Sequence, residues 1–478
     1  MLEEYGVDMS VKFDFLKGYN KATIQCNDFI MERVREHFSV KNAAASFNKK
    51  KLKYAAPPRK YVISNGGRFG IGIFPDIFKF LKSIGIEKVV MTDIFKERVM
   101  PSIANVDKLD DNLLFELRYY QWDSIIKAMR VGYGIFEHGT GAGKSLMTAS
   151  LVTNILKHKP NSKILIIVPG TGLLNQLFLD FKEYELNVTY SKWGSKDVLQ
   201  DTSVIIVNTE YLNLNHGSNG WIKNVDVLIQ DECHVIHGGS GISKVVESIK
   251  TPNKFGLTGS LSKDKFAMWK CKSVFGNVIY KKPVSELIEE GFLTGANINM
   301  VKIIHPDKGV MNFTDEVDYI SESIPRNSLI ANKAIECKGN SLIIVNRLLH
   351  GENICNILSN RGKTIHFISG EMPVSERQII IDSLEEHDDI VIVAIAKIFS
   401  TGINAKNLHN VLFAYGGKSF IRIVQSIGRG LRLHDSKDIL TLWDFYDNIK
   451  YSMKHSVERE SFYLEQKHPV THETISLL

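Results

Sequence analysis

Short aliphatic runs alternate along most of the chain with longer segments whose apolar positions recur every three or four residues. ILIIV (164–168), VIIVN (204–208) and DVLIQ (226–230, followed by Asp231) lack the in–out alternation of a half-exposed strand. That pattern predicts strands covered on both faces in a parallel sheet. A second series opens near residue 296, with SLIIVN (341–346), TIHFIS (364–369) and IVIVAIA (390–396). Strand alternating with helix in two halves of similar size predicts an α/β protein with two tandem doubly wound parallel-sheet domains. The first hundred residues read differently: a strand-like start from Val11 to Phe15, an amphipathic helix near Phe29 to Phe38, a basic polar stretch, and a helix near Asp76 to Ile84 ending at Gly85. The expected division is a small α+β domain at 1–105, doubly wound domains at 106–295 and 296–450, and a tail at 451–478.

Length and composition narrow the class. At 478 residues the chain exceeds what one core supports, and 44% hydrophobic with 23% charged residues describes an ordinary globular protein. No run approaches the ~18 apolar residues of a spanning helix. The first residues, MLEEYGVDMSVKFDF, carry acids where an export signal carries positive charge. A cytoplasmic protein without membrane partners is the expectation. Cys26, Cys233, Cys271, Cys337 and Cys355 lie far apart in sequence, with no C-x-x-C pair, which argues against a zinc site or a disulfide framework.

Charge is unevenly spread. Residues 1–110 hold 19 Lys and Arg against 13 Asp and Glu, which is the whole net charge of +6. Residues 41–75 contain no acid but hold Lys41, Lys49, Lys50, Lys51, Lys53, Arg59, Lys60 and Arg68, with Phe47, Tyr54 and Tyr61 among them. Bases interleaved with aromatics suit a phosphate backbone, with Lys49, Lys50, Lys51 and Lys53 as candidate contacts. A solvated basic loop is the alternative.

The chemistry begins at GTGAGKS (139–145), which follows apolar YGIF (133–136) and precedes a helical segment. Gly139, Thr140, Gly141, Ala142 and Gly143 would wrap backbone N–H groups around phosphates at a helix N-terminus. Lys144 would reach the β- and γ-phosphates and the Ser145 hydroxyl would ligate Mg²⁺, so ATP with Mg²⁺ is the expected cofactor. His138 stands where the usual pattern has its first glycine. DECH (231–234) ends a buried strand, which places its acids at the carboxyl edge of a sheet, where ligands bind. Asp231 would hold Mg²⁺ and Glu232 would orient or deprotonate the attacking water.

These motifs, in this order, resemble superfamily 2 helicases across roughly residues 115–435. LRYYQ (117–121) resembles the family's adenine motif, which implies Gln121 as the adenine reader and Arg118 or Tyr120 packing on the ring. LTGSL (257–261) stands at the coupling motif and implies a linking role for Thr258 and Ser260, with Gly259 in place of the usual alanine. QSIGRGLR (425–432) resembles Q-x-x-G-R-x-x-R and implies catalytic Gln425, Arg429 and Arg432, the arginines spaced to share one helix face. VPGTGLLNQ (168–176) and VNTEYL (207–212) imply nucleic-acid contacts at Thr171, Gln176 and Thr209. FSTGINAKNL (399–408) implies a strand contact at Thr401 and an ATP contact at Gly402, although Asn404 replaces the usual Asp and Ile395 an early threonine.

The amino-terminal block, with its Phe69-Gly70 to Phe74-Pro75 segment, is similar to that of UvsW-type phage helicases. This resemblance implies a DNA enzyme that remodels forks and Holliday junctions by branch migration, unwinds and anneals strands, and moves 3′ to 5′. Branched and single-stranded DNA are the expected partners, and a monomer the expected state. An RNA helicase, a double-strand translocase that does not separate strands, and an ATP-gated junction clamp remain alternatives. Intact Glu232, Arg429 and Arg432 weigh against the clamp.

Overall fold

The structure, a computed structural model, describes residues 9–16, 21–42, 57–109, 113–194, 197, 199–215, 220–236, 241–306, 309, 311–359, 361–396, 407–415 and 439–477. The chain forms two compact units, Met1–His138 with Gly143–Lys281, and Lys282–Leu478 with Gly139–Ala142.

In the first unit, the amino-terminal block builds a four-stranded sheet of order β5-β2-β1-β6 from β1 (Val11–Leu16), β2 (Lys21–Gln25), β5 (Arg68–Phe69) and β6 (Val89–Met91). The short strands β3 (Ser39–Lys41) and β4 (Arg59–Tyr61) pair antiparallel beside it. The expected helix runs from Asp28 to His37, capped by the Asn27 side chain accepting from Ile30 N. Phe13 packs edge-on against Phe74, with ring centroids 4.9 Å apart, at the centre of this core.

The rest of the same unit is built on a seven-stranded sheet of order β13-β7-β12-β11-β8-β10-β9. Its strands are β7 (Gly134–His138), β8 (Ile164–Val168), β9 (Tyr190–Trp193), β10 (Val204–Asn208), β11 (Val227–Gln230), β12 (Asn253–Thr258) and β13 (Val278–Lys282). β10 runs parallel to β8 and β9, β11 to β8 and β12, and β12 to β7. Apolar clusters cover both faces, as the uninterrupted aliphatic runs require.

The amino-terminal block lies directly on this part of the unit. Gly70 and Gly72 pass so close to the helix Lys265–Phe275 that a Cβ on either would sit 2.3 Å from Ser273 O or 2.2 Å from Lys272 O. The Phe69–Pro75 segment is thus the docking element. Phe38 meets Trp269 at 5.4 Å, and ion pairs join Lys272 to Asp76 and Lys21 to Glu247. The break expected at residue 105 is therefore no break in packing.

The second unit carries an all-parallel sheet of order β16-β17-β15-β18-β19-β14-β20. Its strands are β14 (Gly295–Ile304), β15 (Ser341–Val345), β16 (Thr364–Ile368), β17 (Ile390–Ile395), β18 (Asn410–Phe413), β19 (Ile439–Asp447) and β20 (Val470–Ser476). Two parallel sheets of this kind are tandem RecA-like domains. The segment read as a tail, 451–478, is instead built into the second sheet: most of it is the helix Lys450–Glu465 and β20, which pairs with β14 along seven residues. Two buried ion pairs fasten β19 to neighbouring helices, Asp447 taking a fork from Arg326 (2.7 and 3.0 Å) and Asp444 one from Arg459 (2.7 and 2.6 Å). Removing one partner of such a pair costs about 3–5 kcal/mol, because the other charge stays buried. Among the described residues, no helix is long and apolar enough to cross a membrane.

Candidate active site

The glycine-rich loop leaves β7 at His138 and turns into the 15-residue helix Lys144–His158. Gly141 (φ +85°) and Gly143 (φ +76°) hold left-handed backbone that glycine adopts without strain. The turn brings Ser145 and the orphan N–H groups of the first helical turn to the positive end of the helix dipole. Lys144 Nζ donates to His138 O at 3.2 Å. The His138 imidazole points the other way, fully buried, with Nε2 3.2 Å from Ser124 Oγ and Nδ1 3.1 Å from Met147 Sδ. The departure from glycine at 138 therefore fills the core beneath the loop, while the main chain of residue 138 still serves the lysine.

The acids follow β11. Asp231 N donates to Ile167 O, and its Oδ1 accepts from Glu232 N at 3.0 Å. Burial, then the neighbouring Glu232 carboxylate, pushes the Asp231 carboxyl up to about 6, while Lys144 pulls it down. Lys144 and Asp231, from the ends of different elements, are thus within electrostatic reach of one another. Glu232 is itself left-handed (φ +50°), a conformation that costs a non-glycine residue about 1–2 kcal/mol and that concentrates at functional sites.

A hydrogen-bonded bridge leads from Glu232 to the coupling motif. His234 Nδ1 lies 3.1 Å from Glu232 Oε2 and 2.9 Å from Thr258 Oγ1, and the buried Thr258 hydroxyl donates to Ser260 O at 2.8 Å. Nothing in the sequence beyond the box itself marked His234 as the bridge. The same turn brings Cys233 Sγ within 3.7 Å of Cys271 Sγ, both as free thiols, across 38 residues of sequence.

The adenine motif starts the helix Tyr119–Val131. Gln121 is buried, its Oε1 accepting from Arg118 N at 2.8 Å and its Nε2 donating to Gly143 O at 3.4 Å. Its amide thus ties the helix start to the phosphate loop. Arg118 Nη1 donates to Tyr120 OH at 3.1 Å. Tyr120 is fully buried edge-on to His138, so it has no face to offer a base, whereas Tyr119 is exposed. The packing role considered for Tyr120 is corrected accordingly.

Thr171 and Thr209 open the helices that follow the adjacent strands β8 and β10. Asn208 Nδ2 donates to Thr171 Oγ1 at 3.3 Å, and Thr209 Oγ1 donates to Val168 O at 3.1 Å, so the two loops form one ledge at the carboxyl edge. Gln176 turns along its own helix to Asp180 (2.7 Å). Lys49, Lys50, Lys51, Lys53, Thr401, Gly402, Asn404, Gln425, Arg429 and Arg432 lie outside the described residues. Among the described residues, no cluster of three or more His, Cys, Asp or Glu could hold a metal ion. A hydroxyl and one carboxylate, Ser145 and Asp231, are the donors at hand. That sparse set fits Mg²⁺, which keeps several waters and is bound by one or two carboxylates with substrate phosphates.

Residues 114–263 match the family of the type III restriction enzyme res subunit, and residues 326–434 match the helicase conserved C-terminal domain. These two domain matches support a superfamily 2 helicase, an ATP-hydrolysing nucleic-acid enzyme. Along its length it is similar to the ATP-dependent DNA helicase uvsW of Enterobacteria phage T4, with 28% identity over 98% of this chain and 100% of the phage protein. In fold it is similar to the HsdR subunit fragment of a type I restriction enzyme from Vibrio vulnificus YJ016 (TM-score 0.59, 16% identity, 75% of this chain and 68% of that one). It is similar in the same sense to S. cerevisiae Dbp5 bound to RNA and ADP BeF3 (TM-score 0.53, 14% identity, 76% and 90%).

Proposed function

We propose that this chain is an ATP-driven DNA helicase that remodels forks and Holliday junctions by branch migration and unwinding, moving 3′ to 5′ as a monomer in the cytoplasm. The observation that carries this reading is that the likeness to the phage DNA helicase spans the amino-terminal block as well as the motor. That block holds the chain's net positive charge and is docked on the helix Lys265–Phe275 beside the first parallel sheet.

In this reading the loop Gly139–Gly143 cradles the ATP phosphates, Lys144 neutralises them, and Ser145 and Asp231 hold Mg²⁺. The ion supplies neutralisation of charge on the phosphate oxygens. Glu232, held by its backbone and by His234, orients the attacking water. His234 passes the state of that carboxylate to the coupling residues Thr258 and Ser260. Gln121 reports adenine occupancy to Gly143, with Arg118 beside it. Thr171 and Thr209 offer polar groups to a strand backbone, and Arg429 and Arg432 stabilise charge on the γ-phosphate with Gln425 in the same motif.

The test compares ATP turnover stimulated by single strands, duplex, forked DNA, four-way DNA and RNA, beside an assay for movement of a labelled four-way junction. Strongest stimulation by branched DNA with junction movement is expected. Preference for RNA, or duplex translocation without strand exchange, would overturn the proposal.

A further inference from the structure

A cavity of about 430 Å³ opens between the amino-terminal block and the first motor sheet, away from the ATP loop. Its size lies within the roughly 300–1,000 Å³ of small-ligand sites. The block contributes Lys21 of β2, Arg68 of β5 and Arg98 of the helix Asp93–Val99; the motor contributes Lys254 of β12 and Lys270 of the helix Lys265–Phe275. Among the described residues, these five cations share the lining with one carboxylate, Glu247, which already pairs with Lys21 at 2.5 Å.

Like charges gathered in a sheltered space repel one another and lose hydration. Lys254 carries most of that burden. It is buried, its Nζ donates to Val246 O at 2.9 Å, and no carboxylate among the described residues is in ion-pair contact with it. Burial first, then Lys21 and Arg98, pull its pKa down to about 7, and burial lowers Lys270 as well. An anion held among these groups would relieve the repulsion. The walls also carry aromatic surface: the Arg98 guanidinium lies 5.0 Å from the centre of the Phe15 ring, and Tyr61 lines the cavity too. Cations set among aromatic faces suit a phosphate joined to a nucleoside.

The cavity is separate from the candidate active site along the same strand. Lys254 and the coupling residue Thr258 lie at opposite ends of β12, four residues apart, or about 13 Å at ~3.3 Å per residue. We propose that this cavity is a phosphate-binding site that takes one nucleotide unit, from a nucleic-acid strand or free in solution. The strand source rests on the nucleic-acid reading above; the free source does not.

The test uses Lys254→Met, Lys270→Ala and Glu247→Gln in the full chain, with two probes. The first is a labelled DNA fork titrated between 50 and 200 mM salt, and the second is thymidine 5′-monophosphate followed by calorimetry. For a strand, both lysine variants weaken fork binding roughly three- to tenfold and lower the log–log salt slope by about 0.9, the worth of one duplex phosphate. Glu247→Gln tightens binding, a gain that loss of folding cannot mimic, and single-strand-stimulated ATP turnover stays at the wild-type level in all three. For a free nucleotide, calorimetry shows binding that survives Lys144→Ala and disappears in the lysine variants, with fork affinity unchanged.

Two results overturn the proposal. One is unchanged fork affinity and salt slope in variants with wild-type turnover, together with no monophosphate binding dependent on the two lysines. The other is Glu247→Gln weakening the bound probe. If Lys254→Met fails to fold, the less buried Lys270 and Glu247 variants decide the matter. Absence of nucleic-acid stimulation in the wild type would remove the proposed function and leave the monophosphate arm standing.

Discussion

Gly143→Ala asks whether the adenine motif and the phosphate loop act as one piece. Gly143 sits at φ +76° and ψ 36°, where any side chain costs about 1–2 kcal/mol. A Cβ there would also come within 2.3 Å of Gln121 Nε2, so the amide must swing away. That movement breaks the hydrogen bond to Gly143 O and disturbs the one from Arg118 N, and stranding a buried polar group costs about 1–3 kcal/mol. The first cost belongs to the backbone and persists whatever residue stands at 121. The second vanishes once the glutamine is gone. Gly143→Ala, Gln121→Ala and the double variant therefore form a cycle in which the double loses less ATP affinity than the two singles together. The expected coupling is about 1 kcal/mol, roughly fivefold in affinity. Binding of a fluorescent ATP analogue reads it, with thermal unfolding of each variant beside it. Additivity within about 0.3–0.5 kcal/mol would show that the 3.4 Å hydrogen bond links nothing.

Three further outcomes follow from other parts of the chain. Arg429→Ala and Arg432→Ala should still bind ATP but lose roughly 10³-fold in turnover, as arginine fingers do; normal turnover in both variants would remove them from the site. Neutralising Lys49, Lys50, Lys51 and Lys53 together should lower the salt slope of fork binding by about 0.9 for each duplex phosphate left without its lysine, with single-strand-stimulated turnover little changed. His350 is buried against Asn327 Oδ1 at 3.0 Å, and burial, then Arg326, pulls its pKa down to about 3. Because the folded pKa lies below the unfolded value of ~6.5, this stability is present above that pH and is lost as pH falls toward 3. Urea unfolding should therefore show a drop of about 2 kcal/mol from pH 7 to pH 5 that is absent in His350→Gln.

Buried parallel strands announce themselves, because both faces demand aliphatic side chains. The runs at 164–168 and 204–208 coincide with β8 and β10 for that reason. β20 gave no such signal. VTHETIS is a polar edge strand, largely exposed, and it owes its place to backbone pairing with β14. The docking of the amino-terminal block was equally hidden, since Gly70 and Gly72 look like turn residues until a helix is placed against them. Within the site, the order of motifs pointed to the loop and the acid pair, whereas setting Tyr120 aside in favour of Arg118 needed the burial that only packing supplies. The bridge through His234 joins two motifs 24 residues apart, and no spacing rule connects them.

The most direct test is steady-state ATP turnover on forked DNA, measured with ATP binding, for wild type and Glu232→Gln. Wild type should be stimulated by the fork, and Glu232→Gln should bind ATP with similar affinity yet lose at least roughly 10²–10⁴-fold in turnover, the usual worth of a positioned base. Turnover near the wild-type level in Glu232→Gln, with binding intact, would contradict the assignment of the DECH acids as the hydrolytic centre.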